Sequence, residues 1–194
     1  RGATLGLVGE SGCGKSALGR CLIRLLEPTA GEILVNAEDG KGTNITGLGK
    51  AKMKEMRKKL QIVFQDPYAS LNPRLPVWEL IAEPLRVNNV CKSKEDMQKR
   101  IRYLMDVVGL AERLENTYPH ELDGGRRQRI GVARALALEP EFIVLDEPVS
   151  ALDVCIQAQI LNLLHRLQKE FSYTYLFISH DLSVVKHVSD RIAV

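Results

Sequence analysis

The chain contains little cysteine, and its cysteines lie far apart. Four are present in 194 residues, with no Cys-x-x-Cys pair and no spacing typical of metal ligands. This distribution argues against a disulfide framework and against a zinc site, and it favours a reducing compartment.

Long apolar runs are also missing from the sequence. No run approaches the roughly 20 residues that a membrane-spanning helix needs, and no signal peptide is recognisable. We expect no direct membrane insertion, so that any role at a membrane depends on a partner. Because both ends run into apolar, strand-like segments, we also expect both termini to be truncated.

Neither sign of charge dominates the chain. The formal net charge is only +3, and lysine and arginine are spread along the sequence. The basic run at residues 50–59 alternates with Met53 and Met56 and is interpreted as a solvated helix face. The charge pattern therefore indicates no nucleic-acid partner.

The sequence does contain a complete phosphate-binding loop of the form G-x-x-x-x-G-K-S. It lies between a short apolar run and a stretch of helical periodicity, which is the context that the motif requires. The loop and the residue after it are Gly9, Glu10, Ser11, Gly12, Cys13, Gly14, Lys15, Ser16 and Ala17. Glycines let successive backbone N–H groups converge on one anion, and the following helix adds the positive end of its dipole. We expect this segment to bind ATP, with Lys15 on the β- and γ-phosphates and Ser16 on Mg²⁺.

Apolar runs and helical stretches alternate along most of the chain. Strands are predicted at residues 5–8, 33–35, 61–64, 142–145, 175–178 and 191–194, and helices at 15–26, 50–59, 154–171 and 182–188. This alternation is typical of an α/β fold, in which a mostly parallel sheet carries helices on its faces. The turn-rich segment 39–49 predicts a small antiparallel β portion beside the second strand.

The middle of the chain has a different pattern, helical throughout and most clearly amphipathic at residues 94–108. We therefore predict an all-helical subdomain at 76–138, inserted into a nucleotide-binding core. The first part of that core would comprise residues 1–75 and the second part residues 139–194.

The strand predicted at 142–145 ends in two carboxylates, Asp146 and Glu147. Ligands of open α/β sheets bind beyond the carboxyl ends of the strands, where the phosphate loop also lies. We expect Asp146 to hold Mg²⁺, directly or through water. Glu147 is expected to face the water that attacks the terminal phosphate.

In its order of motifs the chain resembles the ATP-binding cassette (ABC) family of transport ATPases, over essentially its whole length. The resemblance implies a P-loop NTPase core that hydrolyses ATP with Mg²⁺. The implied catalytic residues are Glu147, His180, Gln65 and Lys15, and the implied metal ligands are Ser16, Gln65 and Asp146. The segment Leu122, Asp123, Gly124, Gly125 and Arg126 matches the signature that closes the partner subunit's ATP. The residues Ser150, Ala151, Leu152 and Asp153 match the loop that crosses the dimer interface.

A finer resemblance concerns the cargo. Segments 65–74, 83–85, 119–122 and 148–154 are similar to the ATPase subunits of oligopeptide and dipeptide importers, whose close relatives import nickel and other small solutes. The resemblance implies a peripheral protein at the cytoplasmic face of the cell membrane. Its implied partners are a second ABC ATPase subunit and two transmembrane permease subunits.

The signature departs from the family pattern at two positions. Asp123 replaces the usual serine and Arg126 the usual glutamine. As a helix cap, Asp serves as well as Ser, but its charge would repel a nearby γ-phosphate. We hypothesise that this signature is degenerate and that the working dimer is a heterodimer with one competent site. Two alternatives stay open: an ABC-type ATPase without a transport role, and a degenerate regulatory nucleotide-binding subunit.

Overall fold

The computed structural model describes residues 2–36 and 42–194, and a parallel sheet lies at its centre. The strands are β1 (Thr4–Val8), β2 (Leu34–Val35), β3 (Thr43–Asn44), β4 (Leu60–Val63), β5 (Phe142–Asp146), β6 (Thr174–Ser179) and β7 (Arg191–Ala193). Five of them form the parallel sheet, in the order β4-β5-β6-β1-β7, and β2 and β3 form a separate antiparallel pair. The α/β fold class, with its small antiparallel portion, is confirmed.

Seven α-helices and two short 3-10 helices, Glu112–Leu114 and Pro119–Glu121, connect these strands in the described part of the chain. The α-helices are α1 (Lys15–Leu22), α2 (Lys50–Lys59), α3 (Val77–Val87), α4 (Lys94–Val107), α5 (Gly124–Leu136), α6 (Val154–Phe171) and α7 (Leu182–Val188). Helices α2, α6 and α7 have the predicted bounds, and each predicted strand is found to within one residue. Of the turn-rich segment 39–49, residues 39–41 lie outside the described residues.

Helix α1 is shorter than its periodicity predicts. The predicted helix at 15–26 ends at Leu22, because Arg24 adopts a left-handed backbone conformation with φ 53°. The Arg24 guanidinium donates to the carbonyl oxygens of Ile45 at 2.7 Å and Leu48 at 2.9 Å. These contacts with a distant segment turn the chain away from the helical path.

Close packing of α1 on the sheet fixes the start of this helix. Gly19 is buried, and a Cβ added to it would lie 2.8 Å from Ile178 Cδ1 and 2.9 Å from Val144 Cγ1. Only glycine therefore lets α1 approach β5 and β6 this closely. As a result, the loop before α1 is held at the carboxyl ends of those two strands.

Helices α3, α4 and α5 pack on one another, and α5 also contacts β4 and α6. Their fully buried side chains include Leu80, Ile81, Leu85, Leu104, Met105 and Ile130. Burying a side chain of this size stabilises the fold by about 1.5–3 kcal/mol. No strand occurs in residues 64–141, all of which are described. The domain boundaries at 75/76 and 138/139 stay a proposal.

None of the helices formed by residues 2–36 and 42–194 has both the length and the apolar character needed to cross a bilayer.

Candidate functional site

The glycine-rich loop joins β1 to α1 and is shaped by two left-handed glycines. Gly12 has φ 85° and Gly14, which precedes the helix, has φ 98°. A Cβ at either position would meet no atom within 4 Å. The backbone angles, and not a lack of space, therefore require glycine here. The positive φ angles turn the backbone of the loop sharply just before α1 begins.

The Lys15 side chain is hydrogen-bonded to the backbone of its own loop. Its side chain is buried, and the Nζ atom donates to the carbonyl oxygens of Gly9 at 2.8 Å and Glu10 at 2.7 Å. The Sγ atom of Cys13 lies 3.7 Å from the same nitrogen. The ammonium group is thus held in the concave side of the loop by groups of the loop itself.

Ser16 and Asp146 meet at the carboxyl end of β5. The Ser16 hydroxyl donates to Asp146 Oδ1 at 2.6 Å, and Arg20 Nη2 lies 3.5 Å from Asp146 Oδ2. Asp146 is completely buried. A hydroxyl and a carboxylate oxygen are hard ligands of the kind Mg²⁺ prefers, and this donor set fits that ion.

Glu147 lies at the centre of a second cluster, formed at the ends of three neighbouring strands. Its Oε2 accepts a hydrogen bond from Gln65 Nε2 at 3.0 Å, and His180 Nδ1 lies 3.3 Å from the same oxygen. Gln65 follows β4, Glu147 follows β5 and His180 follows β6, and these strands are adjacent in the sheet. The adjacency explains how residues from positions 65 to 180 come to one point.

The backbone of Glu147 is unusual. Its φ of 46° is positive, a conformation that few residues other than glycine adopt. Its N–H donates to the carbonyl oxygen of Ile178 at 3.0 Å, and its own carbonyl accepts from the Ser150 hydroxyl at 3.2 Å. The side chain is largely buried, whereas that of His180 is more than half exposed. Neighbouring strands and the following turn thus aim the carboxylate at the Gln65–His180 cluster.

In the described part of the chain, Gln65 is hydrogen-bonded to Glu147, and no hydrogen bond joins it to Ser16 or Asp146. Its amide is hydrogen-bonded to the Glu147 carboxylate, whereas Ser16 and Asp146 bond to each other. Its role as a metal ligand stays a prediction.

The signature residues Leu122, Asp123, Gly124, Gly125 and Arg126 lie at the start of α5. The Asp123 carboxylate caps this helix by accepting from the Arg126 N–H at 2.8 Å, and its other oxygen lies 3.4 Å from Arg126 Nε. Leu122 is buried beneath this turn. The two glycines allow close packing, since a Cβ on Gly124 or Gly125 would lie 2.9 Å or 2.6 Å from carbons of the 150–156 segment.

That segment includes the predicted dimer loop, Ser150, Ala151, Leu152 and Asp153. The Asp153 carboxylate caps α6 by accepting from the Ile156 N–H at 3.0 Å. The signature therefore packs against this segment, and Ser150 links the segment to the backbone of Glu147.

Sequence reasoning missed two arginines near these sites. Arg20, which contacts Asp146, follows Ser16 by four residues in α1, and this helical spacing could have revealed it. Arg127 donates to the carbonyl oxygens of Pro119 and Leu122 at 2.9 Å and 2.6 Å, and its guanidinium lies 5.0 Å from the Tyr68 ring centroid. No local pattern in the sequence indicates that contact.

The chain is similar to known proteins over its whole length. The model of a family described as "ABC transporter" matches residues 1–150. The oligopeptide transport ATP-binding protein OppF of Bacillus subtilis is 56% identical over 194 residues, which are 100% of this chain and 62% of that protein. The protein of the same name from Salmonella typhimurium is 51% identical over 193 residues, 100% of this chain and 56% of its own length. The chain therefore spans less than two thirds of these relatives.

A solved structure shares the fold. It is a dimeric ATP-binding cassette in a post-hydrolysis state, bound to ADP and Pi. The two chains superpose with a TM-score of 0.84 at 32% sequence identity, over 98% of this chain and 80% of the other.

Proposed function

The chain belongs to the ABC transporter family, and from that premise we propose that it is the ATP-hydrolysing part of a membrane importer for oligopeptides or dipeptides. The observation that carries the proposal is the Glu147 carboxylate, held by Gln65 and His180 beside the phosphate loop. The names of the similar Bacillus and Salmonella proteins support the peptide cargo.

The phosphate loop would bind the triphosphate of ATP. Lys15 already presents its ammonium group on the concave side of the loop, where it donates to the Gly9 and Glu10 carbonyls. Phosphate oxygens would share or replace these acceptors. Hydrogen bonds between charged partners are stronger than those to a carbonyl, so the exchange favours the anion.

Ser16 and Asp146 would hold Mg²⁺, with Gln65 as a third ligand by resemblance. When bound, the ion neutralises negative charge on the phosphate oxygens. Burial keeps Asp146 in place, and Arg20 on its second oxygen leaves Oδ1 directed at Ser16. This chain thus places two hard oxygen ligands side by side, and they would hold the ion.

Glu147 would position the attacking water and accept its proton. Gln65 and His180 both contact Oε2, and in the described part of the chain no group donates to Oε1. Oε1 is therefore the oxygen available to a water molecule. The reaction converts ATP and water to ADP and phosphate. Gln65 and His180 keep the Glu147 carboxylate from rotating.

We further propose that the working unit is a heterodimer of ABC ATPase subunits bound to two permease subunits, at the cytoplasmic face of the membrane. Asp123 and Arg126 support the heterodimer, because they place a charged pair where the family carries Ser and Gln. A partner with the ordinary signature would close the nucleotide bound by this chain.

The test is Glu147→Gln in the full-length chain, assembled with its permeases in vesicles. Because the amide keeps the shape but not the charge, ATP hydrolysis at this site is expected to fall at least about 100-fold, while Mg·ATP affinity is retained. Peptide uptake should fall with it, and Glu95→Gln on α4 is the matched control. Hydrolysis within a few-fold of the parent would refute the role of Glu147. Parent vesicles that hydrolyse ATP but import no peptide would refute the cargo assignment.

A further inference from the structure

The loop that follows Gln65 is attached to helix α5 at two points. The Tyr68 ring lies under the Arg127 guanidinium, 5.0 Å from its Cζ atom, and Ser70 offers its carbonyl to Arg134 Nη1 at 2.8 Å. Arg127 and Arg134 are seven residues apart, two helical turns, and so lie on one face of α5. The face of α5 that carries Arg127 and Arg134 therefore holds the loop in place.

Tyr68 is fixed to Gln65 by a tight turn. The Asp66 carboxylate accepts from the N–H groups of Tyr68 at 2.7 Å and Ala69 at 3.1 Å, and the Asp66 carbonyl accepts from the Ser70 N–H at 3.1 Å. A turn closed by three hydrogen bonds moves as a unit. A displacement of Gln65 is thus passed to the Tyr68 ring.

Arg127 also contacts the backbone at the start of the signature. Its Nε atom donates to the carbonyls of Pro119 and Leu122, both at 2.9 Å, and Nη2 donates to Leu122 at 2.6 Å. Leu122 immediately precedes Asp123, the cap of α5. The same guanidinium therefore contacts the Tyr68 ring and sets the backbone that presents the signature.

We propose that Tyr68 and Arg127 are a positioning pair that couples the state of Gln65 to the position of the signature segment 122–126. This inference rests on the proposed function, in which the Gln65 amide oxygen would join the Mg²⁺ ligands while Nε2 stays on Glu147, so that the position of Gln65 changes when Mg·ATP binds. Neither Tyr68 nor Arg127 belongs to the phosphate loop or to the Gln65–Glu147–His180 cluster. A displacement of Gln65 reaches Leu122 through the contact between the pair. Tyr68 is connected to Gln65 by the turn, and Arg127 is hydrogen-bonded to Leu122.

The size of the effect follows from the type of contact. Tyr68 is half exposed, and an arginine over an exposed ring contributes a coupling of about two- to fivefold in an equilibrium constant. Removing the Tyr68 ring should therefore weaken the coupling between Gln65 and the signature segment. ATP binding should remain, since the phosphate loop is unchanged.

The experiment uses the full-length chain in the assembled transporter, in a Glu147→Gln background that retains ATP. Backbone hydrogen exchange of residues 119–127 is measured with and without Mg·ATP, together with Mg·ATP affinity. In Tyr68→Leu the ATP-induced protection is expected to fall about threefold, with affinity within about twofold of the background. Tyr68→Phe, which keeps the ring, should retain full protection.

Tyr103 on α4 provides the matched control. It is 45% exposed and carries Arg100 at 5.3 Å from its ring centroid, a pair of the same kind within one helix. Tyr103→Leu should leave the protection unchanged. Protection in Tyr68→Leu equal to the background, or an equal loss in Tyr68→Phe or Tyr103→Leu, would overturn the proposal. A background transporter that binds no Mg·ATP would instead overturn the proposed function, and this inference with it.

Discussion

Replacing Asp123 by serine separates two roles that the side chain combines, a helix cap and a negative charge. As a cap, its carboxylate accepts from the Arg126 N–H at 2.8 Å. As a charge, it pairs with Arg126 Nε at 3.4 Å, with both side chains about half exposed. Serine restores the cap, because Ser and Asp are equally good at this position.

The two roles predict effects of different size. An exposed ion pair contributes about 0–1 kcal/mol, so the free energy of unfolding should change by less than about 1 kcal/mol. A carboxylate about 4 Å from a phosphate charge repels it by about 4 kcal/mol at an effective dielectric constant near 20. Arg126 beside the carboxylate offsets most of that repulsion. If about 1.4 kcal/mol remains, the rate at the partner's nucleotide rises about tenfold on substitution.

The assay isolates that nucleotide. In the proposed heterodimer, the signature of this chain contacts the ATP bound by the partner. Glu147→Gln stops hydrolysis of the ATP bound by this chain, so that only the partner's ATP is still hydrolysed. We expect Asp123→Ser in this background to raise the remaining ATP hydrolysis about tenfold. Asp123→Asn, which also keeps a cap, should act likewise, whereas Asp123→Glu should not.

The reasoning would be refuted if neither neutral variant raised the rate while both folded normally. Asp123 would then be a cap only, and the charge argument for a heterodimer would be lost. Asp123→Ala checks the first role, since loss of the cap should lower the free energy of unfolding by about 1 kcal/mol.

Three further predictions concern packing, ionisation and reactivity. Gly125→Ala places a Cβ 2.6 Å from Ile156 Cγ2 and should destabilise the protein by about 1–3 kcal/mol in urea unfolding. Gly131→Ala, in the same helix but with no atom within 4 Å of the added Cβ, should instead stabilise it by up to about 1 kcal/mol. Burial raises the pKa of Tyr173 from 10.0 to about 12, so its contribution to stability is complete below pH 10 and is lost as the pH rises toward 12. The parent should therefore lose about 1 kcal/mol relative to Tyr173→Phe between pH 8 and pH 11, and equal losses in both proteins would contradict the assignment. Alkylation of exposed Cys13 should block nucleotide binding and be prevented by ATP; a modified protein that still binds would show that the thiol faces away from the phosphates.

The strands and the phosphate loop could be predicted from the sequence because their signals are local. Consecutive apolar residues at 142–145 indicate a buried strand whatever its neighbours are, and the glycines at 12 and 14 mark positive φ angles. The end of α1 could not be predicted in this way. It is decided by Arg24, whose carbonyl partners lie 21 and 24 residues away.

The three residues of the Glu147 cluster could be named from the sequence, but their arrangement could not. Sequence position places Gln65, Glu147 and His180 after three strands, yet the order of strands in the sheet decides that they meet. The positive φ of Glu147 has no signal in the neighbouring sequence, and it accompanies a hydrogen bond from the Glu147 N–H to Ile178 on β6. Tertiary contacts of this kind are set only when the sheet is assembled.

The resting contacts of Lys15 indicate how the loop discriminates among anions. A buried ammonium without partners would be costly, and here the Gly9 and Glu10 carbonyls satisfy it. An incoming anion must therefore offer better acceptors than two carbonyls already in place. A doubly charged phosphate does so, since each charge-assisted hydrogen bond contributes about 1 kcal/mol more than a neutral one, whereas a singly charged carboxylate gains less. The carbonyl contacts thus lower the affinity for both anions by the same amount, and the stronger hydrogen bonds of phosphate set the selectivity of the loop.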